Sequence, residues 1–97
     1  GEVNGLFKTC RLKCENINFS LYCTGRKDGD RLRPAGRGCT KSLKSLFSEA
    51  GYTQARRSRT LVLRDAEGIL AVPGLCLDER ARPGPGDAVL TIKIREI

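Results

Sequence analysis

The sequence predicts an α+β domain, a small sandwich-like β-sheet carrying one main amphipathic helix. Three observations point there. One segment near residues 41–50 repeats its apolar residues at helical spacing. Several short runs instead alternate apolar and polar residues, and Gly- or Pro-bearing turn signals separate them. With 97 residues, 1–97 is expected to be a single domain. Aromatic residues are only 5% of the chain, so its core must rest on Leu, Ile and Val.

The elements follow in order. Leu6 to Cys14 alternates, with Leu6, Cys10, Leu12 and Cys14 on one side and Thr9, Arg11 and Lys13 on the other, as in a half-buried strand. Glu15-Asn16-Ile17-Asn18 carries turn chemistry. Phe19, Leu21 and Cys23 then alternate with Ser20, Tyr22 and Thr24, so the two segments read as a hairpin. Residues 25–38 read as loop, with four Gly and one Pro. The helix is expected over Lys41 to Ala50, with Thr40 as N-cap and Leu43, Leu46, Phe47 and Ala50 on its buried stripe. Gly51 stands where a left-handed C′ residue is wanted. A shorter helical turn follows over 54–57.

Leu61–Leu63 and Ile69–Val72 flank Asp65-Ala66-Glu67-Gly68, read as a four-residue hairpin loop. Val72-Pro73-Gly74-Leu75 interrupts the second strand with a bend, after which 75–78 continues it. Residues 82–87 form a stiff loop. Leu90, Ile92 and Ile94, alternating with Thr91, Lys93 and Arg95, form the last strand.

Charge narrows the functional classes. The net charge is +7, and residues 31–64 hold nine basic side chains against one acid, Glu49. That segment carries +8 and the rest −1. Such segregation favours a polyanionic partner, although charge alone fits RNA, DNA or an anionic membrane alike. No apolar run approaches the ~18 residues of a membrane span, and the N-terminus has no signal-peptide pattern. Its lack of Met reads as an excised piece of a longer protein, with Gly1 a tag scar. Five cysteines without paired spacing, and no His, point to reduced thiols rather than disulfides or a metal site, and to the cytoplasm.

The densest signal is the run from Gly29 to Lys44, a glycine-rich, arginine-bearing loop leading into the helix. Helix-terminal amides and the helix dipole make such a place suited to phosphate. Gly36 and Gly38 would let the backbone approach a ligand. Arg33 and Arg37 can fork onto phosphate oxygens, while Lys41 and Lys44 act as point charges. The GxxxxGK[ST] spacing of a Walker loop is absent.

The same residues carry a family resemblance. Gly29-Asp30-Arg31-Leu32-Arg33-Pro34, Gly36-Arg37-Gly38, Lys41-Ser42-Leu43-Lys44, Leu46-Phe47 and Glu49-Ala50-Gly51 together resemble the C-terminal domain of bacterial tRNA(Ile)-lysidine synthetases. Arg57 and Arg59 fall where that family has an R-x-R pair. Val72-Pro73-Gly74-Leu75 matches its VPGL turn, and Asp78-Glu79-Arg80 its acidic-acidic-Arg sequence. The likeness covers residues 28–97 and is weak over the first hairpin. It departs at Ala55 and Cys76, where the family commonly has aromatics, and at Thr53 and Gln54, where it favours proline.

The resemblance implies a tRNA-binding domain cut from a longer ligase, with a fold similar to a domain of the phenylalanyl-tRNA synthetase β-subunit. It implies binding of tRNA(Ile) with a CAU anticodon through the acceptor stem and body, with no DNA and no membrane partner. Arg31, Arg33, Gly36, Arg37, Gly38, Lys41, Lys44, Arg57 and Arg59 are the expected contacts. Lysine ligation to the wobble cytidine, with ATP and Mg, would belong to a separate N-terminal PP-loop domain acting in cis. No catalytic residue, cofactor or metal is expected in this chain. Two other classes fit the residues alone: a protein-interaction or dimerisation module built on the apolar strands, and an enzyme using Cys39 as nucleophile. The second lacks a visible base.

Overall fold

The computed structural model describes residues 7–15, 17 and 20–95. The strands are β1 (Phe7–Lys13), β2 (Tyr22–Thr24), β3 (Arg31–Leu32), β4 (Lys41–Ser42), β5 (Val62–Asp65), β6 (Gly68–Val72), β7 (Cys76–Leu77) and β8 (Val89–Arg95). The helices are α1 (Leu43–Glu49) and α2 (Gln54–Arg59), with a 3₁₀ turn at Glu79–Ala81. The α+β class holds.

A four-stranded sheet in the order β2-β5-β6-β7 forms the middle layer. On one face lies a ribbon of β1 and β8, whose Cys10, Leu12 and Ile94 pack with Leu63, Leu70 and Ala71. On the other face α1 and β3 bring Leu32, Leu43, Leu46 and Phe47 against Val62, Ile69 and Val72. All four residues of β5 are buried because both sides of this sheet are covered. Leu70 and Ala71, consecutive in β6, face the same cluster. The register shift opposite Leu63 and Arg64 explains this, since a bulge inserts one residue and breaks the alternation.

The expected first hairpin is absent. β1 pairs antiparallel with β8 over its whole length, from Phe7 opposite Arg95 to Lys13 opposite Val89, while β2 pairs with β5. Period-two alternation fixes which face of a strand is buried but says nothing of its partner. Cys10 found Ile92, and Leu12 found Leu90, far along the chain. The expected roles of Leu6, Asn16, Asn18 and Phe19 fall outside the described residues.

The helix begins later than its sequence pattern implies. Lys41 and Ser42 pair with Leu32 and Arg31 as β4, so Thr40 is not the N-cap. Ser42 caps instead, its Oγ accepting from Ser45 N at 3.1 Å. Leu43, Leu46 and Phe47 are buried as the stripe requires, whereas Ala50 is exposed. Gly51 does adopt the left-handed conformation, at φ 72°. Gly51 N donates to Ser48 O and Tyr52 N to Phe47 O, a Schellman closure. The Phe47 and Tyr52 rings stack across it at 5.1 Å. The short second helix runs to Arg59, capped by Thr53.

The β5–β6 hairpin exists, but its turn is the two residues Ala66 and Glu67, with Asp65 opposite Gly68. Asp65 reads as a turn residue, yet its buried carboxylate accepts from Glu67 N at 2.9 Å and from both terminal nitrogens of Arg80 at 2.6 and 2.8 Å. The Val72–Leu75 bend reverses the chain, and β7 returns antiparallel to β6. Leu75 N donates to Val72 O, and Gly74 at φ 81° meets the type II turn after Pro73.

Candidate nucleic-acid interface

The expected loop is a long β3–β4 connection laid along α1 and held from below. Around β3, burial alternates: Leu32 and Pro34 are buried, while Arg31 and Arg33 are exposed. Two steps apart in extended chain, the two arginines leave on the same side. Their backbone is fixed by the Asp78-Glu79 pair. Arg33 N donates to Asp78 Oδ1 at 2.8 Å, Gly36 N donates to Glu79 Oε1 at 2.8 Å, and Glu79 N donates to Arg33 O at 2.7 Å. The acidic residues of the Asp78-Glu79-Arg80 motif thus position the loop, and Arg80 ties them to the sheet through Asp65.

Several amides of the expected phosphate cradle are already engaged within the domain. The Gly36 amide already has its carboxylate. At the start of α1, Leu43 N donates to Asp30 O and Ser45 N to the capping hydroxyl. Gly36 and Gly38 take a left-handed backbone, at φ 80° and 66°, which glycine adopts without strain.

The basic side chains fall into two groups. Arg64 is an internal strut: its side chain is 8% exposed, and it grips Asp30 at 2.7 and 2.8 Å, Thr24 Oγ1 at 2.8 Å and Gly25 O at 3.2 Å. That guanidinium holds the Asp30 carboxyl below the usual carboxylate range. Arg57 donates to Tyr52 O at 3.0 Å and to Ser48 Oγ at 3.3 Å, and so braces the turn after α1. Arg37 and Lys41 converge on the two oxygens of Glu49, Arg37 at 3.0 Å, and together, Lys41 foremost, they lower the Glu49 pKa.

Arg31, Arg33, Lys44 and Arg59 form the second group. They are exposed and make no side-chain hydrogen bond or ion pair among the described residues. Arg56 is exposed beside them in sequence, its guanidinium 4.1 Å over the Tyr52 ring. Of the nine expected contacts, the structure brings Arg31 and Lys44 to one cleft and Arg37 and Lys41 to Glu49 on another side of α1. Sequence reasoning missed Arg26 and Lys27, which line the first cleft. Their only signal was two adjacent cations beside the Asp28-Gly29 turn.

Cys39 lies exposed in the β3–β4 loop, not at the helix start, and no base stands against it among the described residues. Cys76 is partly buried, and its thiol is pushed up to about 11 by that burial. Among the described residues no cluster of three or more His, Cys, Asp or Glu could hold a metal, and no helix is long and apolar enough to cross a membrane.

The fold and its exposed cations define a small, basic α+β domain. Residues 21–94 match the family model described as the TilS substrate C-terminal domain, and the chain belongs to that family. The tRNA(Ile)-lysidine synthase of Geobacillus kaustophilus (strain HTA426) is 41% identical over 61 residues, 62% of this chain and 13% of that protein. The tRNA(Ile)-lysidine synthase of Vibrio atlanticus (strain LGP32) is 33% identical over 69 residues, 71% of this chain and 15% of that protein. The chain therefore spans about one seventh of the length of these relatives. A crystal structure of the TilS C-terminal domain matches with a TM-score of 0.75 and 31% identity, over 91% of this chain and 70% of the other.

Proposed function

We propose that this domain grips the body of tRNA(Ile) for a tRNA(Ile)-lysidine synthetase, in the cytoplasm, while a separate N-terminal domain performs the ligation with ATP and Mg. The observation that carries the reading is the set of exposed cations Arg31, Arg33, Lys44, Arg56 and Arg59, none of them in an ion pair among the described residues. Family membership supplies the RNA context. Such side chains neutralise phosphates without reading sequence, so the domain adds affinity and register rather than chemistry. Binding energy placed away from the reacting cytidine lowers the entropic cost of the transition state. A dimerisation module is less well supported. Among the described residues only Tyr22 and Val89 are large, apolar and exposed, too little for an obligate interface.

The test is to measure tRNA(Ile) binding by the isolated chain, and lysidine formation with ATP and lysine supplied. Binding that weakens steeply with salt, with no lysidine formed, is the expected result. Absence of tRNA binding at low salt, or lysidine made by this chain alone, would refute the reading.

A further inference from the structure

Loop 24–30 is organised from beneath by one side chain. Arg64 holds Thr24 and Gly25 at one end of the loop and Asp30 at the other. Between them Lys27 N donates to Asp30 Oδ2 at 2.7 Å, Asp30 N donates to Lys27 O at 3.2 Å, and Gly29 turns the chain at φ 83°. A buried, four-bonded arginine therefore fixes the base of a loop whose tip carries Arg26 and Lys27. Across from that tip stand Arg31 of β3 and Lys44 of α1. The four cations line one cleft of about 180 Å³, together with Asp28, Asp30, Ser42 and Leu43.

The charge of this cleft is not cancelled by its own acids. Asp30 is already neutralised by Arg64. Asp28 is exposed and makes no ion pair among the described residues, which leaves four cations against one carboxylate. By contrast, Arg37 and Lys41 are paired at Glu49, and Arg80 at Asp65. Like charges lining one cleft repel one another, and an anion bound among them relieves that repulsion. A rigid cationic cleft with guanidinium forks on two sides suits the oxygens of a phosphodiester.

Resting on the tRNA-binding reading, we infer that the cleft between loop 24–30 and α1, lined by Arg26, Lys27, Arg31 and Lys44, is the main seat for RNA backbone phosphates on this domain, and that Arg26 and Lys27 are contact residues. Arg37 and Lys41, held by Glu49, contribute less than their place in the glycine-rich motif implies.

The experiment compares two double variants that lose equal charge. R26Q/K27Q alters the cleft. R11Q/K93Q alters two exposed cations on the outer face of the β1–β8 ribbon. All four side chains are exposed, and thermal melts check that both proteins fold. Binding of a tRNA(Ile) transcript is followed from low to high salt. Each lost phosphate contact removes about 0.7–0.9 from the log–log slope, so R26Q/K27Q should flatten it by about 1.5 and R11Q/K93Q by less than about 0.5. An unchanged slope in R26Q/K27Q, or an equal change in both variants, overturns the cleft assignment while tRNA binding itself stands. If the unaltered chain shows no salt-dependent tRNA binding, the underlying reading fails first.

Discussion

Arg64 and Asp30 meet through two parallel hydrogen bonds of 2.8 and 2.7 Å, joining β5 to the loop before β3 with both side chains nearly closed to solvent. Removing one partner strands a buried charge, which costs about 3–5 kcal/mol. Arg64→Leu should therefore lower the urea midpoint strongly, and Asp30→Asn should do so less because its amide can still accept from the arginine. Equal stability of Arg64→Leu and the parent would refute the strut.

The same pair sets an acid limit. Asp30 titrates lower in the folded chain than in the unfolded chain, chiefly because Arg64 hydrogen-bonds to its charged form. Its stabilisation is therefore complete above the unfolded value of about 3.9, and is lost as pH falls through the lowered folded value. Urea midpoints should fall from about pH 4 downward. Asp30→Asn should flatten that stretch of the curve and leave its shape above pH 5 unaltered.

Glu49 holds Arg37 and Lys41 in the way a phosphate would. Glu49→Gln should release both cations to RNA. A salt titration should then show tighter tRNA binding at low salt and a slope steeper by about 1. Weaker binding in this variant would mean that the ion pairs shape the loop and do not compete with RNA.

Gly51 ends α1 in a conformation that costs an L-residue about 1–2 kcal/mol, and the Phe47–Tyr52 stack closes over it. Gly51→Ala should lower the melting temperature by several degrees, given about 4–8 °C per kcal/mol for a domain of this size. Phe47→Ala, which empties a fully buried site, should cost about 3–5 kcal/mol. Thermal melts distinguish the two magnitudes.

Cys76, with its thiol pushed up to about 11, should resist iodoacetamide at pH 8 while exposed Cys39 is labelled. Mass spectrometry of peptides at early times checks the order, and labelling of Cys76 ahead of Cys39 would contradict its burial.

Much of this was legible in the sequence, because local patterns report local physics. The stripe of Leu43, Leu46 and Phe47, the left-handed Gly51 and the Val72–Leu75 turn each depend on neighbours within a few residues. What stayed hidden depends on distant partners. Nothing near Leu12 indicates Leu90, and nothing near Lys41 shows that it will pair with Leu32 instead of opening a helix. The charge count of residues 31–64 was blind for a related reason. Counting arginines treats Arg64 and Arg33 alike, although one lies within β5 bonded to Asp30 and the other faces water. Arg26 and Lys27 sat outside the motif, and only the fold brings them opposite Lys44.

The antiparallel union of β1 with β8 sets Phe7 opposite Arg95, so the chain enters and leaves this domain side by side. A tension applied between those two points loads the ribbon's hydrogen bonds one after another, as in a zipper, instead of all together in shear. The ribbon should therefore peel at low force while the central sheet, with its Arg64 and Arg80 anchors, stays closed. The neighbouring positions of Phe7 and Arg95 also mean that these two points could be joined by a short linker and new ends opened elsewhere, with the layers undisturbed.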